Sequence, residues 1–186
     1  MKNKIAIFAS GSGTNALNLI QYFKDHPSIE IKVVACNKEG AGVLDKASSE
    51  NIPSFVFNRA SFKEASFLKK MEEFDVNFIV LAGFLWKVPA YLIEAFPERI
   101  VNIHPALLPK FGGKGMYGMN VHKAVYDQKE TETGITVHYV NEVYDDGEII
   151  LQESFELNGE EPEAIAQKIH QLEYKYFPKA IEKVLL

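Results

Sequence analysis

The stretch KIAIFASGSGTNALNLIQYFKDH, Lys4 to His26, decides how this chain folds. Residues 4–10 form a short, nearly unbroken apolar run, which reads as a strand buried on both faces. The small and polar residues SGSGTN follow at 10–15. From Asn15 to His26, Leu17, Ile20 and Phe23 then recur close to helical spacing. A buried strand, a glycine-rich turn and an amphipathic helix open a βαβ unit.

The pattern repeats outward. IKVVACN (31–37) reads as a second strand, 41–50 as a helix and PSFVFN (53–58) as a short strand. SFKEASFLKKMEEF (61–74) reads as one helix with a capping box, Ser61 followed by Glu64 three residues later. NFIVLAG (77–83) is a strongly apolar strand, 89–96 a short helix and RIVNIH (99–104) a further strand. This alternation predicts an α/β fold, an open, mostly parallel twisted sheet with helices on both faces, Rossmann-like. In the last third, GITVHYV (134–140) and GEIILQESFEL (147–157) are joined through YDDG, which predicts an antiparallel pair at the sheet edge near the C-terminus. Residues 161–186 read as a long helix, with Glu160 and Glu161 at its dipole-favoured start and Pro178 placed to kink or divide it. No stretch is rich enough in Pro, Gly or Ser to be a linker, so residues 1–186 read as one domain.

The 186 residues suffice for a sizeable core; 47% are hydrophobic and 24% charged, as in ordinary globular proteins. A net charge of −5 speaks against a nucleic-acid surface. The single cysteine, Cys36, excludes an intrachain disulfide and fits a reducing compartment. The apolar run at the N-terminus is too short for a signal peptide, and no run approaches a membrane span, so the expectation is a cytoplasmic protein without membrane contact. Five histidines and one cysteine show no HxxxH or CxxC spacing, so no metal is expected.

Five motifs could carry chemistry. SGSGTN ends a strand and starts a helix, where the backbone N–H groups of Gly13, Thr14 and Asn15 can hold an anion. It lacks the lysine of a P-loop, the third glycine of a dinucleotide fingerprint and an acid after the second strand, so a phosphate monoester fits better. A plain βα turn would look the same. LAGF, Leu81–Phe84, closes a strand at the sheet's carboxyl edge, where Gly83 allows close approach and Phe84, Leu85 and Trp86 could wall a flat ligand; a strand simply ending at glycine is the plainer reading. Asn102 and His104 are two apart on a strand, so they share a face and could both donate to an oxyanion. A backbone-bonded His and a capping Asn would serve as well. Tyr144-Asp145-Asp146-Gly147 is a turn signal, or a carboxylate for His104. His170 and Glu173, three apart on the late helix, form a solvated face or a polar contact.

Together SGSGTN, LAGF, NIHPALLPKF and GITVHYVNEVYDDGEII resemble, in order and spacing, the phosphoribosylglycinamide formyltransferase family, and the likeness covers essentially the whole chain. The resemblance implies transfer of a formyl group from 10-formyltetrahydrofolate, as cosubstrate, to the amine of glycinamide ribonucleotide in de novo purine synthesis. It implies Asn102, His104 and Asp145 as catalytic residues, and Gly13, Thr14, Asn15, Gly83, Pro105, His170 and Glu173 as substrate-binding. Phe84, Leu85, Trp86 and Val88, with Asn102, fall on its folate side; Val140, Asn141 and Glu142 fall in its pterin loop, 138–145. The partners implied are these small molecules, with no nucleic acid and a monomer or weak homodimer. The chain departs from the family in a longer GGKGMYGMNVHKAV loop, in Trp86 where relatives carry Arg or Lys, and in YDDG for LDGG. Formyltetrahydrofolate hydrolase shares the trio but usually has an added N-terminal domain, and methionyl-tRNA formyltransferase an added C-terminal one. A start at the first strand and an end at 186 weigh against both. A non-catalytic nucleotide-binding module is the alternative from another class.

Overall fold

Ile5, Ala6, Ile7, Phe8 and Ala9 are all fully buried, as a strand covered on both faces requires. They belong to β1 (Asn3–Ala9), from which the fold is built. The computed structural model describes residues 2–186. It divides into two compact units, one running to Val101 and including Leu185, the other running from Asn102 to Val184 and including Leu186.

In the first unit β2 (Ile29–Cys36), β3 (Ser54–Val56) and β4 (Phe78–Leu81) join β1 in the order β3-β2-β1-β4, with every pairing parallel. β5 (Ile100–His104) begins in this unit beside β4 and ends in the second. Helix α1 (Thr14–Tyr22) buries Ala16, Leu19 and Ile20, and α2 (Gly42–Ser49) buries Val43 and Ala47. The sequence suggests a first helix reaching His26, but α1 stops at Tyr22, with Phe23 as its C-cap and residues 23–25 in a turn before Pro27. The span 61–74 is also not one helix. It splits into α3 (Arg59–Phe62), a 3₁₀ turn at Ala65–Phe67 and α4 (Leu68–Glu73). The cap is Asn58, whose side chain accepts from the Ser61 N–H at 2.9 Å, and not the Ser61–Glu64 box. The cause is packing. Phe62 and Phe67 meet at 5.2 Å within a cluster that includes Phe8, Phe57 and Phe84. On one continuous α-helix, five residues would turn them about 140° apart. The short helix α5 (Ala90–Ala95) precedes β5.

The second unit carries the end of β5, then β6 (Glu132–Tyr139) and β7 (Ile149–Glu156), in the order β5-β6-β7. β6 and β7 are antiparallel, as expected, with an irregularity between Val137 and His138. Their connection is longer than a tight Asp-Gly turn, since residues 140–148 all lie outside strands. A helix that the glycine-rich sequence conceals, α6 (Met119–Asp127), follows the 112–118 segment and buries Val121, His122 and Val125. Helix α7 (Pro162–Leu185) runs past Pro178 undivided, burying Phe177, Pro178, Ala180 and Ile181 together. The fold is thus the open, mostly parallel α/β sheet with an antiparallel edge that the alternation predicts. No helix among the described residues is long and apolar enough to cross a membrane.

One buried hydroxyl fixes the chain just after β5. Thr136 on β6, with no exposed surface, donates to the Ala106 carbonyl at 2.7 Å and accepts from Leu108 N–H at 3.0 Å. Gln152 on β7 donates to the same hydroxyl at 2.9 Å and to the Leu108 carbonyl at 3.0 Å. Thr136→Val keeps the volume but leaves these groups without their partner. Chemical denaturation should show a loss of about 2–4 kcal/mol, from more than one buried group left unsatisfied. A loss under about 0.5 kcal/mol would mean the hydroxyl does not hold the turn.

Candidate active site

In the first unit two of the sequence motifs are stitched together. β1 and β4 are neighbours at the point where the strand order reverses, which is where open α/β sheets bind ligands. Ser10 N–H donates to the Gly83 carbonyl at 3.1 Å, and Leu85 N–H to the Ser10 hydroxyl at 3.0 Å. Gly13 caps α1 at φ 74°, and a Cβ there would lie 2.5 Å from the Val43 side chain, so only glycine fits. Thr14 is exposed and Asn15 half-buried at the start of α1. Beyond β4, Gly83 and Leu85 are exposed, Trp86 is half-buried, and Phe84 and Val88 are buried. Phe84 packs edge-on against Phe8 at 5.6 Å, and the Arg59 guanidinium covers the Trp86 ring at 4.8 Å.

In the second unit the structure brings Asn102, His104 and Asp145 together. The His104 Nδ1 stands 3.6 Å from Asp145 Oδ2, and Asn102 Nδ2 donates to Asp145 Oδ1 at 3.5 Å. Pro105, half-buried, starts the turn after β5. Three further groups, not singled out from sequence, complete the cluster. His138 Nε2 lies 3.1 Å from Asn102 Nδ2 and 3.7 Å from Asp145 Oδ1. The Phe111 carbonyl accepts from His104 Nε2 at 2.8 Å, and Gly113 N–H donates to Asp145 Oδ2 at 2.9 Å. Strand alternation could have flagged His138, since Thr136 and His138 are spaced on β6 as Asn102 and His104 are on β5. Nothing in the sequence marks the two backbone groups.

Asp145 sits at φ 53°, in the left-handed region, within the 140–148 loop. Gly147, two residues on, passes so near Tyr139 that a Cβ would lie 1.7 Å from its carbonyl oxygen, so the loop tolerates no side chain there. Val140 and Asn141 are half-buried in the same loop and Glu142 is exposed; Asn141 Oδ1 accepts from Val143 N–H at 2.8 Å. On α7, Glu173 is buried and His170, half-exposed, bonds it through Nδ1 at 2.9 Å.

Burial pushes His104 below its ordinary value of 6.5, although the Asp145 charge and the Phe111 carbonyl pull the other way. The ring is therefore neutral at pH 7, donating through Nε2, and not the standing imidazolium that an adjacent carboxylate suggests. Burial alone would raise the Asp145 carboxyl. The nearby His138 and His104 rings and the Gly113 N–H outweigh it and hold the group below its ordinary value. The cluster offers an ionised carboxylate, a neutral imidazole and an amide donor at the end of one strand. That set suits stabilising an oxyanion and moving a proton. Among the described residues no group of three or more His, Cys, Asp or Glu side chains is placed to hold a metal ion.

Against known proteins, the model of the formyl transferase family matches residues 3–181, and the chain belongs to that family. Within it, the chain is similar to phosphoribosylglycinamide formyltransferases. It is 37% identical to the chloroplastic protein of Arabidopsis thaliana over 97% of its own length, and spans 64% of that protein. It is 35% identical to the Bacillus subtilis (strain 168) protein, covering 98% of this chain and 94% of that one. The crystal structure of glycinamide ribonucleotide transformylase 1 from Geobacillus kaustophilus, 33% identical, matches it with a TM-score of 0.90 over the whole of both chains.

Two buried histidines, His104 and His122, are lowered from 6.5, first by burial. The unfolded chain therefore binds more protons than the folded one below 6.5, and stability falls as pH drops from 6.5 toward the folded values. His170, raised first by its bond to Glu173, works in the opposite direction: it adds stability below 6.5 that is lost as pH rises through its folded value. Denaturation between about pH 7.5 and 5.5 should show stability declining on acidification, by up to about 1.4 kcal/mol per pH unit for each net proton. His170→Gln should steepen the decline; a flat profile in both proteins contradicts neutral buried rings.

Proposed function

We propose that this chain transfers the formyl group of 10-formyltetrahydrofolate to the amine of glycinamide ribonucleotide, giving formylglycinamide ribonucleotide and tetrahydrofolate in de novo purine synthesis. The observation that carries the reading is the convergence of Asn102, His104 and Asp145, from strand and distant loop, in a chain of the formyl transferase family. The substrate amine attacks the formyl carbon, the N10–carbon bond breaks, and N10 takes up a proton. No covalent intermediate with the enzyme is needed, so the protein's task is alignment and charge stabilisation.

In this reading Asn102 Nδ2 and the His104 N–H donate to the oxyanion of the tetrahedral intermediate. The Nε2–H that bonds the Phe111 carbonyl is the donor that would turn to it, and Asp145 beside Nδ1 favours the charged ring as negative charge builds. Asp145, through water, passes the proton from the attacking nitrogen to N10. Gly13, Thr14 and Asn15 hold the phosphate, while Gly83, Pro105, His170 and Glu173 serve the rest of the ribonucleotide. Leu85, Trp86 and the backbone of the 84–88 stretch, with Asn102 and the Val140–Glu142 loop, serve the folate. Burial leaves Phe84 and Val88 to support that stretch from beneath. We also propose that the chain acts in the cytoplasm as one formyltransferase domain, monomeric or weakly dimeric, and without metal.

The test is formyl transfer from 10-formyltetrahydrofolate with glycinamide ribonucleotide, beside a control without the amine. Transfer dependent on the amine is expected. Deformylation at equal rate without the amine would make the chain a hydrolase, and binding without turnover a nucleotide-binding module. Asp145→Asn and His104→Ala should each lower kcat by about 10²–10³, the scale of losing an oxyanion or proton-transfer group, with KM little changed. Near-wild-type turnover in either variant removes that residue from the mechanism.

A further inference from the structure

Helix α6 turns one polar side chain inward. His122, between the buried Val121 and Val125, is only 3% exposed. Buried side-chain nitrogens are nearly always hydrogen-bonded, but His122 Nδ1 has no partner among the described residues. Leaving such an atom open destabilises the fold. The charges that act on this ring are those of Glu173, His170 and His104, all in the same unit. Glu173 is itself 5% exposed and carries the His170 bond on Oε2. A buried carboxylate and a buried imidazole with an open nitrogen therefore lie within electrostatic reach of each other and of His104. A carboxylate accepts hydrogen bonds only, and a neutral imidazole nitrogen without its hydrogen also accepts. A group that can donate to both carries two hydrogens on one atom, as an amine does.

We propose that His122 is a substrate-positioning residue: with Glu173 it brackets the glycyl amine of the ribonucleotide, its open Nδ1 accepting one N–H and the carboxylate another. This rests on the reading of the chain as a glycinamide ribonucleotide formyltransferase. Two acceptors fix two of the amine's hydrogens and so aim its lone pair at the formyl carbon. Nδ1 is closed to water, so the bond forms with a turn of the ring about Cβ–Cγ.

The test compares His122→Phe, which removes the nitrogen, with His122→Asn, whose amide oxygen can stand in for Nδ1. KM is measured for each substrate separately, with Kd for glycinamide ribonucleotide by calorimetry and Tm for each protein. His122→Phe should raise KM and Kd for the ribonucleotide roughly tenfold, the size of one hydrogen bond to a buried group. The folate KM should stay unchanged, and His122→Asn should remain within about threefold of wild type. A lowered Tm with both KM values unchanged, or with kcat and both KM values moving together in the two variants, overturns the proposal; His122 is then a core histidine that serves packing alone. If wild type formylates the ribonucleotide and His122→Phe binds it normally, the functional reading stands and this proposal alone falls. A wild-type chain that neither binds nor formylates it overturns both. Should His122→Phe not fold, the wild-type imidazole ¹⁵N spectrum decides. The His122 Nδ1 resonance should move on adding the ribonucleotide, and an unmoved resonance refutes the contact.

Discussion

One carboxylate ties the polar cluster of the second unit together. Asp145 accepts the Gly113 N–H and the Asn102 amide, and faces both the His104 and His138 rings. These partners come from β5, β6 and the segment after Pro109, so no local structure brings them together. A carboxylate so buried needs several donors around it to stay ionised. The same donors are then fixed in place by it. The left-handed backbone at Asp145 and the close pass of Gly147 under the Tyr139 carbonyl set where that carboxylate can be.

Support for the histidine comes from behind. Thr136 and Gln152 tie down Ala106 and Leu108, so the chain leaving β5 has one path. His104, itself buried, ends β5 and donates from Nε2 to a backbone carbonyl. Burial keeps the ring neutral, and Asp145 opposes burial without overcoming it. A ring in that balance changes protonation readily when charge develops beside it. The first unit shapes the turn after β1 by other means: a glycine that no side chain could replace, and a serine hydroxyl that ties the end of β1 to the turn after β4.

Particular residues show where sequence reading succeeds and where it stops. Asn102 and His104 share a face because strand geometry alternates with period two, and that rule is local. His138 obeys the same rule on β6, yet its role appears only once β6 is placed beside β5. The split of residues 59–73 into three short turns follows from Phe62 and Phe67 seeking the same aromatic cluster, a long-range demand that outweighs a local capping pattern. Helix α6 was hidden by the glycines before it, although Val121, His122 and Val125 already carry helical spacing. Phe84, which the sequence offers as a ligand wall, is buried against the rings of Phe8 and Phe62, a placement that depends on segments far apart in the chain.

By itself the sequence determined the alternation of strands and helices, the parallel sheet with its antiparallel edge, the glycine-rich turn at the head of α1 and the pairing of Asn102 with His104. Each depends on residues close together in the chain, where backbone geometry and side-chain period decide. Tertiary structure alone decided that Asp145 reaches His104, that His138, Phe111 and Gly113 join them, and that His104 rests neutral. It also left the buried His122 Nδ1 without a partner. Those outcomes depend on distance and burial between segments far apart in sequence, and burial is a property of the packed chain.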